Sequence, residues 1–159
     1  MLRQAMEQGS ELGRQVKPIY DSGGLVPDHL MIELIRERLA HPDAESGFIL
    51  DGFPRTSPQA DALDGMLDEI GRELSVVFAL QLPDSVAIER LRRRAALDNR
   101  VDDTPEAIAR RLALYHERTE PLIEHYRAQG NLVGIHADRS VNEVFTEIQQ
   151  ALDQVAARS

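Results

Sequence analysis

The sequence contains no cysteine, no tryptophan and only one lysine, Lys17, among its 159 residues. Without cysteine, the chain can form neither a disulfide nor a thiolate-ligated zinc site. No apolar run approaches the roughly 18 residues that a membrane-spanning helix requires, and the N-terminus has no signal-like pattern. We therefore expect a soluble, cytoplasmic protein with no membrane partner and no structural metal.

The net charge of −9 argues against nucleic acid as a partner. Positive charge is concentrated between residues 90 and 118, where eight arginines face five acidic residues. Such a stretch is typical of a solvated helix face. It is equally suited to a small polyanion such as a nucleotide, because arginine binds phosphate bidentately.

The chain length fits one domain with a substantial core. Three short apolar runs, at 47–52, 76–82 and 132–136, are predicted to be strands. They alternate with helical patterns, which predicts an α/β fold with a parallel sheet in a three-layer α/β/α sandwich. The helices are predicted at 1–8, 11–21, 28–40, 58–73, from 84 into the arginine-rich stretch, at 105–128 with a kink at 119–121, and from 141 onward.

Two features of this pattern indicate that a strand is missing. Three strands are few for such a sandwich, and three helical segments precede the first of them. A buried parallel strand needs a partner on both edges. We therefore expect the runs at 47–52 and 76–82 to pair with each other or to leave unpaired backbone groups, at a cost in stability.

A polar corner follows the first predicted strand. Asp51, Gly52, Pro54 and Arg55 lie there, and Ser57-Pro58 is suited to open the next helix, with serine as its N-cap. Because ligands bind at the carboxyl ends of strands in open α/β sheets, the corner is a predicted ligand site.

Several segments, in order along the chain, resemble adenylate kinases. They are Met1-Leu2-Arg3, Gly9-Ser10-Glu11-Leu12-Gly13, Gly24-Leu25-Val26-Pro27-Asp28, Gly47-Phe48-Ile49-Leu50-Asp51-Gly52-Phe53-Pro54-Arg55 with Gln59, and Arg100-Val101-Asp102-Asp103 with Arg111 and Tyr115. The Asp-Gly-Phe-Pro-Arg motif is highly specific for nucleoside monophosphate kinases. The resemblance covers the chain from its first residue to its last.

The resemblance implies a P-loop kinase-like fold and the reaction ATP + AMP = 2 ADP with Mg²⁺. ATP, AMP and ADP are then the partners, the protein serves nucleotide biosynthesis, and a monomer is expected. The whole of 1–159 forms one domain. Within it, the monophosphate-binding part is 1–26, the core is 27–93 with 105–159, and 94–104 is a short lid without a zinc hairpin.

The same resemblance assigns roles by position in two groups. For AMP binding it implies Arg3, Gly24, Leu25, Val26, Gly52, Phe53, Pro54, Arg55, Gln59, Arg100 and Arg111. For ATP binding it implies Arg90, Arg94 and the backbone of Arg139. The arginines expected to stabilise the transferred phosphoryl group are Arg55, Arg94, Arg100 and Arg111. Asp51 is expected to help hold magnesium through water, and Asp102 and Asp103 to orient the lid arginines.

One family feature is absent from these residues. Family members begin with a strand and a glycine-rich phosphate loop that ends in Gly-Lys, but no G-x-x-x-x-G-K-[ST] pattern occurs in the 159 residues. We therefore expect an N-terminally truncated fold without its central strand, and low activity from this chain alone. An alternative is that the coding sequence continues upstream of Met1.

Two other functions remain open at this point. The chain could be a nucleotide-binding remnant without catalysis, or a kinase for another nucleoside monophosphate. Gln59 favours AMP, since relatives specific for UMP or CMP usually carry asparagine near that position. The histidines are interpreted as surface or helix residues without a catalytic role; they are His29, His41, His116, His125 and His136.

Overall fold

The computed structural model describes residues 6–7, 9, 11–22, 24–98 and 104–157, except for the side chains of Leu12 and Asp98. In chain order the elements are α1 (Glu11–Asp21), α2 (Asp28–Leu39), a 3₁₀ turn (Pro42–Ala44), α3 (Ser57–Glu69), β1 (Val77–Gln81), α4 (Asp84–Asp98), α5 (Pro105–Leu114), a π-helical turn (Tyr115–Thr119), α6 (Leu122–Gln129), β2 (Leu132–His136) and α7 (Val141–Ala156). Of the predicted helix at 1–8, Met6 and Glu7 are helical, and the rest lies outside the described residues.

The sheet consists of β1 and β2, which run parallel. Val77 pairs with Leu132 and Gln81 with His136. The backbone bond from Ala137 N–H to Gln81 O (2.8 Å) continues the ladder one residue past the end of β2. The predicted α/β class is confirmed, since the described chain is rich in helices and its sheet is parallel.

The predicted strand at 47–52 is wrong. The backbone there belongs to no strand, and it pairs neither with β1 nor with any other described segment. The apolar character of the run is used for packing, because Phe48 and Leu50 contact the core, while Ile49 is 95% exposed. A strand exists only as part of a hydrogen-bonded ladder, and no described strand lies beside this segment to form one.

Helix α3 organises the core. Its Leu63 and Leu67 are fully buried and pack with Ile35 and Leu39 of α2 and with Phe53 of the corner. One turn before Leu63, Ala60 packs with Leu122 and Tyr126 of α6. Since the corner directly precedes α3, the packing of α3 against α2 and α6 holds the corner in place.

Some large apolar side chains within the predicted helices are exposed. Helix α3 ends at Glu69 rather than near residue 73, because Gly71 turns the chain with a φ of 66°. Ile70 is therefore beyond the helix and 51% exposed. On α7, Phe145 (57%) and Leu152 (45%) face solvent, since the small sheet leaves part of the apolar face of α7 uncovered.

Helix caps largely follow the sequence. The Ser140–Glu143 capping box of α7 is present, and the Thr104 side chain caps α5 by accepting from Ala107 N–H. At α3 the N-cap is Thr56 rather than the predicted Ser57, which occupies the first helical position. Across the described part of the chain, no helix has the length and apolarity to cross a bilayer.

Candidate functional site

At the corner before α3, the Arg55 side chain folds back onto the backbone of Gly52. The Phe53–Pro54 peptide is cis, and Gly52 has a φ of 72°. The Nε of Arg55 donates to Gly52 O at 2.6 Å. The positive φ favours glycine at position 52, and a Cβ there would lie 2.7 Å from the Arg55 Nη2 and displace the guanidinium.

The main chain of Arg55 is also held from two sides. Its N–H donates to Gln59 Oε1 at 2.9 Å, and its carbonyl accepts from the Thr119 hydroxyl at 2.9 Å. Thr119 ends the π-helical turn, which confirms the predicted kink at 119–121. π-turns inside α-helices are frequent at functional sites. Here the wider turn brings a residue of the α5–α6 region to the corner.

The charge of a second guanidinium group acts on Arg55 at this corner. Partial desolvation lowers the pKa of Arg55 from its usual value, and the positive charge of Arg111 lowers this pKa further. Tyr20 and Asp51 shift it in the opposite direction. Arg55 nevertheless keeps solvent access, and arginine stays protonated at neutral pH. Like charges held together in this way form a site for an anion such as phosphate.

Helix α1 contributes Tyr20 to the same group. The Arg111 guanidinium lies 5.9 Å from the centroid of the Tyr20 ring. A cation near an aromatic face is attracted to it. Sequence reasoning missed Tyr20 as a member of this group, because nothing in the local pattern connects it with α5.

A carboxylate lies beside this anion site. Asp51 is exposed, at the end of the 47–50 segment. Within the described ranges, no group of three or more histidine, aspartate or glutamate side chains could hold a metal by itself. Mg²⁺ usually binds through one or two carboxylates, substrate phosphates and water. Asp51 therefore fits a magnesium ion that arrives with a nucleotide.

Gln59 lies in a buried polar network. The side chain is 3% exposed, and its Nε2 donates to Asp28 Oδ1 at 2.8 Å. The hydroxyl of Thr56, which is 5% exposed, donates to the same Asp28 oxygen at 3.0 Å. Sequence reasoning missed the contacts that Asp28 and Thr56 make with Gln59. Asp28 was interpreted only as the start of a helix.

A second arginine group lies at the carboxyl end of β2. The Nη1 of Arg90 donates to Ala137 O at 2.6 Å, and its Nη2 donates to Arg139 O at 2.9 Å. The structure thus brings together Arg90 and the Arg139 backbone, two groups that the resemblance assigns to ATP binding. Arg94 follows one turn later on α4 and is partly buried.

The remaining predicted site residues fall into two groups. Gly24, Leu25 and Val26 form the connection between α1 and α2, where Gly24 N–H donates to Ile19 O at 2.9 Å and Val26 is 7% exposed. The other group lies outside the described residues; it consists of Arg3, Arg100, Asp102 and Asp103.

The π-turn is also bridged to α4 through His116. Its Nδ1 lies 2.9 Å from a Glu120 carboxylate oxygen, and its Nε2 lies 2.9 Å from an Asp84 oxygen. Hydrogen bonds to Glu120 and Asp84 raise the pKa of His116 above 6.5. Because the pKa of His116 is higher in the folded than in the unfolded chain, the bridge stabilises the fold fully below the unfolded-state pKa. This stabilisation is lost as the pH rises through the folded-state pKa.

We predict that an NMR titration of the His116 ring gives a pKa above that of an unstructured histidine. The change Glu120→Gln should lower this pKa, and adding Asp84→Asn should lower it further, because each removes a carboxylate partner. Asp43→Asn, which changes a carboxylate paired with Arg38, serves as the control and should leave the titration unchanged. An unshifted His116 in the wild-type chain would contradict the bridge.

Comparison with known proteins identifies the family of this site. The family model described as adenylate kinase matches residues 1–131. The adenylate kinase of Caulobacter sp. (strain K31) is 46% identical over 156 residues, covering 98% of this chain and 82% of the relative. That of Parvibaculum lavamentivorans is 44% identical over 155 residues, covering 96% and 76%. That of Methanosarcina barkeri is 40% identical over 182 aligned positions, covering 98% and 85%.

Proposed function

Because the chain belongs to the adenylate kinase family, and is by that membership a nucleoside monophosphate kinase, we propose that its substrates are AMP and ATP, interconverted with two ADP. The observation that carries this proposal is that Arg55, whose Nε is fixed on Gly52 O at 2.6 Å and whose main chain is bonded to Gln59 and Thr119, also feels the positive charge of Arg111. These two guanidinium groups would receive the phosphate of a nucleoside monophosphate.

The residues would act by alignment and charge neutralisation. Phosphoryl transfer requires little covalent chemistry from the protein. Arg55 and Arg111 would bind the phosphate of AMP, and the Gly24–Val26 connection and Gln59 would bind its base. Arg90 and the Arg139 backbone would hold the adenine of ATP, with Arg94 directed to its phosphates. Preorganised positive charge of this kind stabilises the transferred group without reorganisation.

Magnesium fits this arrangement as an ion that accompanies ATP. When bound, it would neutralise charge on the bridging phosphate oxygens. In this chain, Asp51 would hold it through water. Arg100, Asp102 and Asp103 belong by resemblance to a lid at 94–104, which would close over the reacting phosphates with the 1–26 part and exclude water.

The proposal separates binding from turnover. The AMP side of the site is present in these residues, but the glycine-rich loop and its lysine, which would hold the phosphates of ATP, are not. We therefore propose that the 159-residue chain by itself binds AMP but catalyses slowly. We also propose that the protein is a monomer and acts in the cytoplasm.

A panel of four nucleoside monophosphates tests the substrate. We predict that AMP binds at least about tenfold more tightly than GMP, CMP or UMP, the difference that one well-placed hydrogen bond makes to a binding constant. Isothermal titration calorimetry at fixed salt and Mg²⁺ measures the four affinities. Tighter binding of another monophosphate would instead support a kinase for that base. Binding of none of the four would contradict the proposed function.

A further inference from the structure

Asp28 is the one carboxylate of the Gln59 network, and nothing above assigns it a role. It begins α2, and its Oδ1 accepts hydrogen bonds from the Thr56 hydroxyl and from Gln59 Nε2. On its other side, Gln59 Oε1 accepts from the Arg55 N–H. The Gln59 amide nitrogen thus faces an acceptor, Asp28, and the amide oxygen faces a donor, the Arg55 N–H.

These two contacts determine which way the amide points. An ionised carboxylate only accepts hydrogen bonds, so the Gln59 atom beside Asp28 must be the nitrogen. A backbone N–H only donates, so the atom beside Arg55 must be the oxygen. A flipped amide would place two acceptors together at Asp28 and two donors together at Arg55. With the Gln59 side chain 3% exposed, water does not compensate for such mismatches.

Once oriented, the amide has one N–H and one oxygen lone pair left for a ligand. The Watson–Crick edge of a 6-aminopurine offers a ring-nitrogen acceptor next to an amino donor, which matches this pair. A 6-oxopurine offers a ring N–H and a carbonyl oxygen at the same positions, and it would meet donor with donor and acceptor with acceptor. A freely flipping amide would accept both kinds of purine.

We propose that Asp28 is a positioning residue that fixes the Gln59 amide and thereby makes the site select a 6-aminopurine monophosphate over its 6-oxo counterpart. This inference rests on the proposed function, since it requires that Gln59 contacts the base. Asp28 itself touches no substrate, and it acts through Gln59.

The test compares the binding of AMP and IMP, which differ at the 6-position and the adjoining ring nitrogen. In the 159-residue wild-type chain, calorimetry should show AMP preferred. In Asp28→Ala the ratio of the two affinities should fall by about tenfold, the size of one hydrogen bond in a binding constant. Asp28→Asn, which keeps the shape and offers either an oxygen or an NH₂ group, should show a smaller fall and covers the case in which the alanine variant does not fold.

A matched control removes the other hydrogen bond to the same carboxylate. Thr56→Val deletes the hydroxyl that donates to Asp28 Oδ1, and it also weakens the α3 cap, but it leaves the contact between Asp28 and Gln59. Its stability should fall, while its AMP-to-IMP ratio should stay at the wild-type value. A loss of selectivity equal to that of Asp28→Ala would show a general structural role and overturn the proposal.

A second readout follows the amide directly. In a ¹H–¹⁵N correlation spectrum, one proton of the Gln59 side-chain NH₂ should be shifted downfield by its hydrogen bond to Asp28. This shift should disappear in Asp28→Ala and persist in Thr56→Val. An unchanged Gln59 signal in Asp28→Ala would overturn the orientation by Asp28 without any reference to nucleotides.

The outcomes also separate this inference from the function on which it rests. If wild type binds neither AMP nor IMP, the proposed function fails and this inference fails with it. If wild type prefers AMP but Gln59→Ala leaves the preference intact, the base contact is elsewhere and Asp28 has no part in selectivity. If Gln59→Ala removes the preference while both Asp28 variants retain it, only the role of Asp28 is overturned.

Discussion

The 159-residue chain by itself should convert ATP and AMP to ADP at least about 1000-fold more slowly than the full-length Caulobacter relative, since removing even one preorganised donor for developing charge costs roughly 100- to 1000-fold. No glycine-rich loop ending in Gly-Lys occurs in its sequence. The β-phosphate of ATP would then have no cradle of backbone N–H groups and no lysine. A coupled assay of ADP formation at saturating ATP, AMP and Mg²⁺ measures the difference.

A fusion tests the cause. This chain covers 82% of the Caulobacter relative, so the alignment leaves part of that relative unmatched. Joining a segment that holds a strand and a glycine-rich loop ending in Gly-Lys ahead of Met1 should restore turnover. The same fusion with the Gly-Lys lysine changed to methionine should restore little of it. It should still raise the melting temperature, because the added strand can pair with the free edge of β1.

Rapid turnover by the unfused chain would contradict the argument, since the phosphates would then be held by residues other than a glycine-rich loop. Equal rescue by the lysine and methionine fusions would also contradict it, because the segment would then act through stability alone. Measurement of AMP affinity in all three proteins separates the two effects. We expect that affinity to be similar throughout.

The features that could be predicted from the sequence are local ones. The Asp-Gly-Phe-Pro-Arg corner, the kink at 119–121 and the capping box at Ser140 are each encoded within a few residues. Turn and cap chemistry operates over that distance, so a pattern suffices to find it. The corner arginines Arg55 and Arg111 were identified from family resemblance, and in the structure the charge of Arg111 lowers the pKa of Arg55.

The features that were missed depend on contacts between distant segments. Gln59 and Asp28 are 31 residues apart, and Thr119 and Arg55 are 64 apart. Helical periodicity shows which face of an element is buried, but it does not identify the partner. The apolar run at 47–52 illustrates the same limit, because its composition suits a strand while strand formation requires a neighbour that the described chain does not provide.

Replacing Arg55 should have the largest effect of any single substitution on AMP binding. A charged hydrogen bond contributes about 1.5–3 kcal/mol, so Arg55→Met should weaken AMP roughly 10- to 150-fold. Arg55→Lys keeps the charge but cannot bind phosphate bidentately, and it should fall between methionine and wild type. Calorimetry with AMP measures the loss of phosphate binding, and calorimetry with adenosine measures any change in nucleoside binding. Adenosine has no phosphate, so its affinity should change little.

The same substitution should not destabilise the fold to a comparable extent. Arg55→Met removes the hydrogen bond to Gly52 O, but it also relieves the repulsion between Arg55 and Arg111 and the desolvation of a charge. We therefore expect a melting temperature close to that of wild type. Arg36→Met, on the exposed face of α2 and paired with Glu69, is the control that should change neither binding nor melting. If Arg55→Met weakened adenosine as much as AMP, Arg55 would support the corner structurally, and the phosphate site would have to be elsewhere.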